Sequence, residues 1–211
     1  MASSIIHICI AKEVNKEIKR DPSRLYIGTI SPDISKFIGD SKRKSHFVSD
    51  LEENNNIPDL NKFLIRYKDN LSDDFVLGYY IHLYADYLWF KYFITEIITK
   101  NFVTKLDGTV VNVKGELQTY YIYNDYTNMN EQLLDLYDLD CKIFYNELPE
   151  FENIIQEIPM DKVDVIVNQV GLILEKTKVK KDLIFNIEHV QKYIDTAVKL
   201  ILSDLKEKGI Y

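Results

Sequence analysis

The 211-residue chain has two cysteines, Cys9 and Cys141, and no basic leader; Lys12 and Glu13 interrupt the first apolar run almost at once. Without a secretory leader the two cysteines read as reduced, buried thiols, and neither carries a mark of an activated nucleophile. No apolar run reaches the roughly 20 residues needed to span a bilayer. The expectation is therefore a cytosolic protein. Glycine and proline are scarce, seven and five residues, which suits helices better than a loop-rich or all-β fold. Common catalytic signatures are missing as well. There is no His-Glu-x-x-His, no His-Asp dipeptide, no Glu-x-x-His, no phosphate-binding loop and no Gly-x-Gly-x-x-Gly. The net charge of −7 argues against a surface that binds a nucleic acid polymer, although a local basic pocket for phosphate is compatible with it.

Hydrophobic residues make up 46% of the chain, and fifteen Tyr and ten Phe supply much of the core volume. Taken in order, Ser3-Ser4 reads as the cap of a helix over Ile5 to Ile18, and Asp21-Pro22-Ser23 as a break. Leu25 to Ile30 is a short apolar run, and Ser31-Pro32-Asp33-Ile34 a turn or helix start. Ser41 to Phe47 reads as a basic loop, and the Asn-rich stretch Leu51 to Ile57 as exposed. A helix is expected from Pro58 to about Lys68, and a long central one, capped by Ser72-Asp73-Asp74, from Phe75 to about Lys100. Leu106 to Val113 reads as a small hairpin, Glu116 to Leu139 as a helix, and Pro149 as the start of another to Ile158. Two more run from Pro159 to about Lys176 and from Asn186 to near Gly209, joined by the basic run Lys176 to Lys181. About seven helices and almost no strand predict one all-α domain over residues 1–211.

The central stretch Phe75 to Phe90 organises the rest. Phe75, Gly78, His82, Asp86 and Trp89 recur at helical spacing, so His82 and Asp86 stack on the inward face, one turn apart. A buried carboxylate must be paired or bound to a cation. Gly78 costs a helix about 1 kcal/mol against Ala, so its place there implies the close approach of another backbone. The chain has four histidines, and His7, His46 and His82 fall in the first 90 residues together with Asp33 and Asp86. Imidazole and carboxylate are a common ligand set for Zn²⁺ and related ions. Taken singly, each His also fits a core histidine satisfied by hydrogen bonds.

The succession His7 with Ala11, Ser-Pro-Asp33, Ser-His46-Phe and Gly-x-x-x-His82-x-x-x-Asp86-x-x-Trp89 resembles the zinc-dependent phospholipase C family. It is similar also to the amino-terminal domain of glycosylphosphatidylinositol-specific phospholipase D and, more distantly, to the P1-type zinc nucleases. The resemblance covers roughly residues 5 to 90. It implies an all-α fold that buries zinc between helices. In it Asp33, His46, His82 and Asp86 hold one zinc, and His7 a second that Asp86 bridges. It also implies that Asp33 acts as general base toward the attacking water, and that the chemistry is hydrolysis of an anionic phosphoester by metal-activated hydroxide.

The departures limit this. Secreted members use a free amino terminus as a ligand, whereas here six residues precede His7. The full cluster takes two further His and a Glu, but only His189 follows Asp86, and it reads more simply as an ordinary helix histidine. Phe90 stands where some relatives carry His. One well-formed metal position and a weaker second are expected. Lys42, Arg43 and Lys44 read either as a basic gate for an anionic substrate or as a solvated loop, and Tyr120, Tyr121, Tyr123 and Tyr126 either as a cleft lining or as a core stripe. A rival of another class is a helical binding or regulatory protein with a structural or vestigial metal site. A third reading is a nucleotide-handling enzyme.

Overall fold

Acceptor side chains at the expected places open the helices. In the computed structural model, which describes residues 2–48, 56–145, 147–175 and 181–211, Ser3 accepts from the Ile6 amide and starts α1, Ser4–Ile18. Asp21 accepts from the amides of Ser23 and Arg24 and starts α2, Pro22–Ile30. Three single turns follow, Ser31–Ile34, Ser35–Ile38 and Lys42–Ser45. Asp59 then opens α3, Leu60–Tyr67, and Asp73 opens α4, Asp74–Leu88. Strands β1, Phe102–Thr104, and β2, Val110–Asn112, pair antiparallel with Val103 opposite Val111. Helices α5, Glu116–Leu136, α6, Val163–Glu175, and α7, Ile187–Glu207, complete the chain. The expected all-α class holds: the described residues are mostly helical, with one two-stranded sheet.

A single apolar cluster runs from Ala2 to Leu205, with α1 and α4 near its middle. The tightest crossing is that of α2 and α4. A Cβ built on Gly78 would lie 2.1 Å from the Leu25 carbonyl oxygen, and one built on Gly28 2.1 Å from that of Phe75. Each helix thus contributes a glycine where the other's backbone passes, as expected for Gly78. The Thr29 hydroxyl lies in the same crossing, 2.8 Å from the Leu25 carbonyl and 3.1 Å from that of Gly78.

Several boundaries differ from the sequence reading. Residues 22–30 form a full helix rather than a break and an apolar run, because Pro22 occupies the first helical turn, where its missing N–H costs nothing. The central helix ends at Leu88 instead of near Lys100. A wider turn, Trp89–Phe93, and a tighter one, Ile94–Glu96, follow, and the chain then enters the hairpin through an isolated bridge between Ile98 and Val103. The hairpin begins at Phe102, earlier than expected. The helix expected after Pro149 does not form. Instead the Gln156 amide donates to the Tyr67 hydroxyl at 3.0 Å, while that hydroxyl donates to the buried Glu157 carboxylate at 2.6 Å. Tertiary bonds thereby replace helical ones in that segment. The exposure expected of Leu51 to Ile57 falls largely outside the described residues, as does most of the basic connector Lys176 to Lys181; at the side-chain level so does Cys141. Cys9 is buried and free, and burial pushes its thiol well above the ordinary range.

Sequence reading passed over Asp125, a fully buried carboxylate on α5. It accepts the amides of Leu183, Ile184 and Phe185 at 2.9, 2.7 and 3.0 Å, and so fastens the entry to α7. The adjacent Asn124 side-chain amide also donates to Oδ1 at 2.9 Å, but the three backbone donors lie some 60 residues away, which no local pattern signals. Asp125→Ala leaves those donors without a charged acceptor. It is expected to lower unfolding free energy by about 3 kcal/mol or more in denaturant titration, with metal content unchanged.

No helix among the described residues is long and apolar enough to cross a membrane.

Candidate metal centre

Four elements deliver five side chains to one buried place. His7 lies in the first turns of α1; Asp33 is in the single turn after α2; His46 follows the turn Lys42–Ser45; and His82 and Asp86 share the inward face of α4. Phe75, Gly78, His82, Asp86 and Trp89 are all buried as expected, but α4 is buried nearly all round, with Val76, Leu77, Tyr79, Tyr80 and Ile81 covered on its other faces. His7, His46, His82 and Asp86 are fully buried, and Asp33 is 3% exposed. Among the described residues two groups satisfy ligand spacing, His7 with His82 and Asp86, and Asp33 with His46 and His82.

The outer nitrogens fix which face each imidazole turns inward. His82 Nδ1 lies 2.7 Å from the Thr29 carbonyl, which only accepts, so Nδ1 carries the hydrogen and Nε2 keeps a lone pair. His46 Nδ1 lies 3.2 Å from the Lys42 carbonyl and 2.9 Å from Ser45 Oγ, which gives it the same tautomer. Ser45 is itself held by Ser35, Oγ to Oγ at 3.1 Å, and its carbonyl accepts from the buried Tyr79 hydroxyl. The two Nε2 atoms then face each other at 3.1 Å, lone pair to lone pair. Such a contact is repulsive unless a cation lies between the nitrogens.

The carboxylates complete the shape. Asp33 Oδ1 is 3.4 Å from His46 Nε2, and Asp86 Oδ2 is 3.6 Å from His46 Nε2 and 3.8 Å from His82 Nε2. Ligands held about 2.0–2.1 Å from a tetrahedral zinc stand roughly 3.3–3.4 Å apart, so the spacings, 3.1 to 3.8 Å, fit the edges of such a shell. Asp86 turns its other oxygen away. Oδ1 is 3.3 Å from His7 Nε2 and accepts the Ala2 amide at 3.0 Å, so this one carboxylate faces two neighbouring positions. The start of α1 therefore enters the cluster, although six residues precede His7. His7 also stacks on His82 with ring centroids 3.8 Å apart. Both nitrogens of His7, Asp33 Oδ1 and Asp86 Oδ2 are buried without a hydrogen-bond partner. Buried polar atoms are rarely orphaned, and four converging here match the demand of a cation.

The electrostatics set the protonation state that metal ligands require. Burial opposes the charge of Asp33, but the imidazoles of His46 and His82 beside it prevail and hold its carboxyl below the usual range. Asp86 is held well below it, against its burial, by neighbouring positive charge and by the His7 imidazole 3.3 Å from its Oδ1. Burial lowers His46 despite Asp33, and burial together with His7 lowers His82 strongly. At neutral pH Asp33 and Asp86 are therefore ionised, and His46 and His82 neutral.

A cavity of about 410 Å³ lies against the cluster. Asp33 is on its wall, with Lys36, Lys42, Phe90, Tyr123 and Tyr126 among the others. The basic run is divided. Lys42 lines this cavity, whereas Arg43 and Lys44 line a separate depression beside Arg66 and Glu157. The tyrosine stripe is divided as well: Tyr123 and Tyr126 reach the cavity, while Tyr120 is exposed. Lys36 escaped the sequence reading, although its position three residues after Asp33 puts both on one side of a helical turn. His189 stands apart from the cluster. Its Nδ1 accepts the Asn186 amide at 3.4 Å, and Asn186 Oδ1 accepts the His189 amide at 3.1 Å, a reciprocal cap at the start of α7.

No protein-family model matches this chain, and no curated protein and no solved structure matches it.

Proposed function

We propose that the protein is a metal-dependent phosphoester hydrolase with an arrangement like that of the zinc-dependent phospholipases C, holding one or two divalent ions, zinc foremost. The observation that carries this reading is the opposed pair of Nε2 lone pairs of His46 and His82, bracketed by Asp33 and Asp86, beside an open cavity. His46, His82, Asp33 and Asp86 would hold the first ion, and His7 with Asp86 Oδ1 a second. Bound there, a divalent cation supplies Lewis acidity that brings the pKa of a coordinated water toward about 7 and offsets phosphate charge.

The protein's own residues do the rest. The carbonyls of Thr29 and Lys42 keep the two imidazoles in the tautomer that presents Nε2. Asp33 is the one ligand candidate on the cavity wall, so it is placed to orient an attacking water and receive its proton. The apolar cavity wall of Phe90, Ile122 and Tyr126 limits bulk water around the ester. A cytosolic setting belongs to the same reading, resting on the reduced Cys9 and the acidic chain.

A second reading, a metal kept for folding alone, is favoured by the complete burial of His7, His46, His82 and Asp86. The two part on one experiment. Purified protein is assayed against 4-nitrophenyl phosphate and bis(4-nitrophenyl) phosphate before chelation, after it, and after zinc is restored. The hydrolase reading expects turnover of at least one ester, lost on chelation and recovered with zinc. Bound metal with no turnover of any phosphoester supports the structural reading instead.

A further inference from the structure

Two lysines reach the cavity without a carboxylate partner among the described residues. Lys36 Nζ, at the rim, bonds the Tyr123 hydroxyl at 2.6 Å and lies 5.1 Å from that ring's centroid. Lys42, half-buried, places Nζ 5.3 Å from the centroid of Phe90. Both aromatic rings line the cavity. Neither lysine forms an ion pair with any described residue, although the charges of Asp33 and Asp86 act on both. Among the described residues the cavity wall holds one carboxylate, Asp33, whose Oδ1 lies 3.4 Å from His46 Nε2. On the same wall Asn130, 2% exposed, leaves its Oδ1 without a hydrogen-bond partner. The remainder is largely apolar, with Ile5, Ile122 and Tyr126.

Charge then distinguishes among phosphoesters. The carboxylates of Asp33 and Asp86 and the ammoniums of Lys36 and Lys42 cancel. Each divalent cation in the centre therefore leaves a surplus of two positive charges. A phosphodiester brings one negative charge and a phosphomonoester close to two at neutral pH. A zwitterionic lipid headgroup would bring a quaternary ammonium against two lysines, with no carboxylate outside the metal centre to receive it among the described residues.

We infer that the cavity is a phosphomonoester site: Lys36 and Lys42 bind the phosphoryl oxygens, the apolar wall takes a compact alcohol portion, and Asn130 accepts a hydrogen bond from a hydroxyl or amine on it. This rests on the hydrolase reading for the metal, but the lysines' part in anion binding is measurable by itself. The volume is ample for a small organic phosphate.

The test titrates inorganic phosphate into the zinc-loaded protein by calorimetry, for wild type, Lys36→Met, Lys42→Met and the double variant. Metal content and thermal melting are recorded for each. The inference expects affinity to fall about tenfold in each single variant and further in the double one, with metal content unchanged. It also expects a preference for 4-nitrophenyl phosphate over bis(4-nitrophenyl) phosphate of more than tenfold in wild type, collapsing in the double variant. If one single variant does not fold, the other carries the comparison. Phosphate affinity and ester preference that stay unmoved in folded variants overturn the inference and leave the metal reading standing. Wild type that binds no metal but loses phosphate affinity in the lysine variants keeps the anion site and removes the hydrolase. A preference for the diester in wild type overturns the monoester assignment.

Discussion

Asp86→Asn is expected to empty both metal positions and to reduce turnover by about three orders of magnitude or more. Asp86 faces both, with Oδ2 toward His46 and His82 and Oδ1 toward His7. Losing a directly coordinating group exceeds the 10- to 100-fold cost typical of disturbing a supporting partner. His7→Ala is expected to behave differently, removing the second position while the first, with Asp33, His46, His82 and Asp86, keeps its ion. Elemental analysis of the two variants beside wild type reads this directly.

The same substitution should cost more stability with the metal than without it. In chelator, the surroundings of Asp86 hold its carboxyl well below the usual range, so an amide forgoes that stabilisation while still accepting the Ala2 N–H. Asp86→Asn should therefore melt below wild type even in chelator. In zinc the gap should widen. A ligand present at 100 times its dissociation constant adds about 2.7 kcal/mol to wild type alone, and for a chain of this size that is roughly 5–10 °C. A gap of the same size in zinc and in chelator would show that Asp86 serves the apo fold rather than a cation.

Gly78→Ala should be the most damaging single methyl in the chain. Its Cβ would meet the Leu25 carbonyl at 2.1 Å and the Thr29 amide at 2.9 Å, both backbone atoms of α2 that no rotamer change can move. The helices must separate, and overpacking of this kind costs 1–3 kcal/mol where side chains can yield and more where backbone must. A loss of about 3 kcal/mol or more is expected, a fall in melting temperature of roughly 6–12 °C. Metal affinity should drop along with it. Separation of α2 from α4 pulls the Thr29 carbonyl away from His82 Nδ1, and with it the hydrogen bond that fixes the tautomer. A surface methyl would do neither, so loss of stability with full metal affinity would contradict the link between crossing and centre. Gly28→Ala, which meets the Phe75 carbonyl at 2.1 Å from the opposite side, should reproduce the effect.

What the amino-acid order revealed divides along physical lines. The face bearing Gly78, His82 and Asp86 was legible because a helix repeats every 3.6 residues and polar groups on an apolar stripe stand out. Caps at Ser3, Asp73 and Asn186 were legible because short acceptor side chains satisfy free amides locally. The end of α4 was not, because apolar residues continue through Trp89 to Ile98 and only tertiary packing interrupts the ladder. Neither was the fate of residues 149–158, where Tyr67 and Glu157 outcompete a helix. Asp125 and Lys36 depend on partners distant in the chain, and such pairings leave no periodic trace. Within the basic run, the helical turn Lys42–Ser45 sends Lys42 and its neighbours to different cavities, which composition alone does not resolve.

The central claim is that one cation lies among His46, His82, Asp33 and Asp86. Anomalous diffraction at the zinc absorption edge, from crystals grown with zinc and without chelator, tests it most directly. The account predicts a strong anomalous peak within about 2.0–2.2 Å of His46 Nε2, His82 Nε2 and carboxylate oxygens of Asp33 and Asp86, with a weaker one beside His7. A map with no peak between those side chains, or with peaks only at the protein surface, would contradict it.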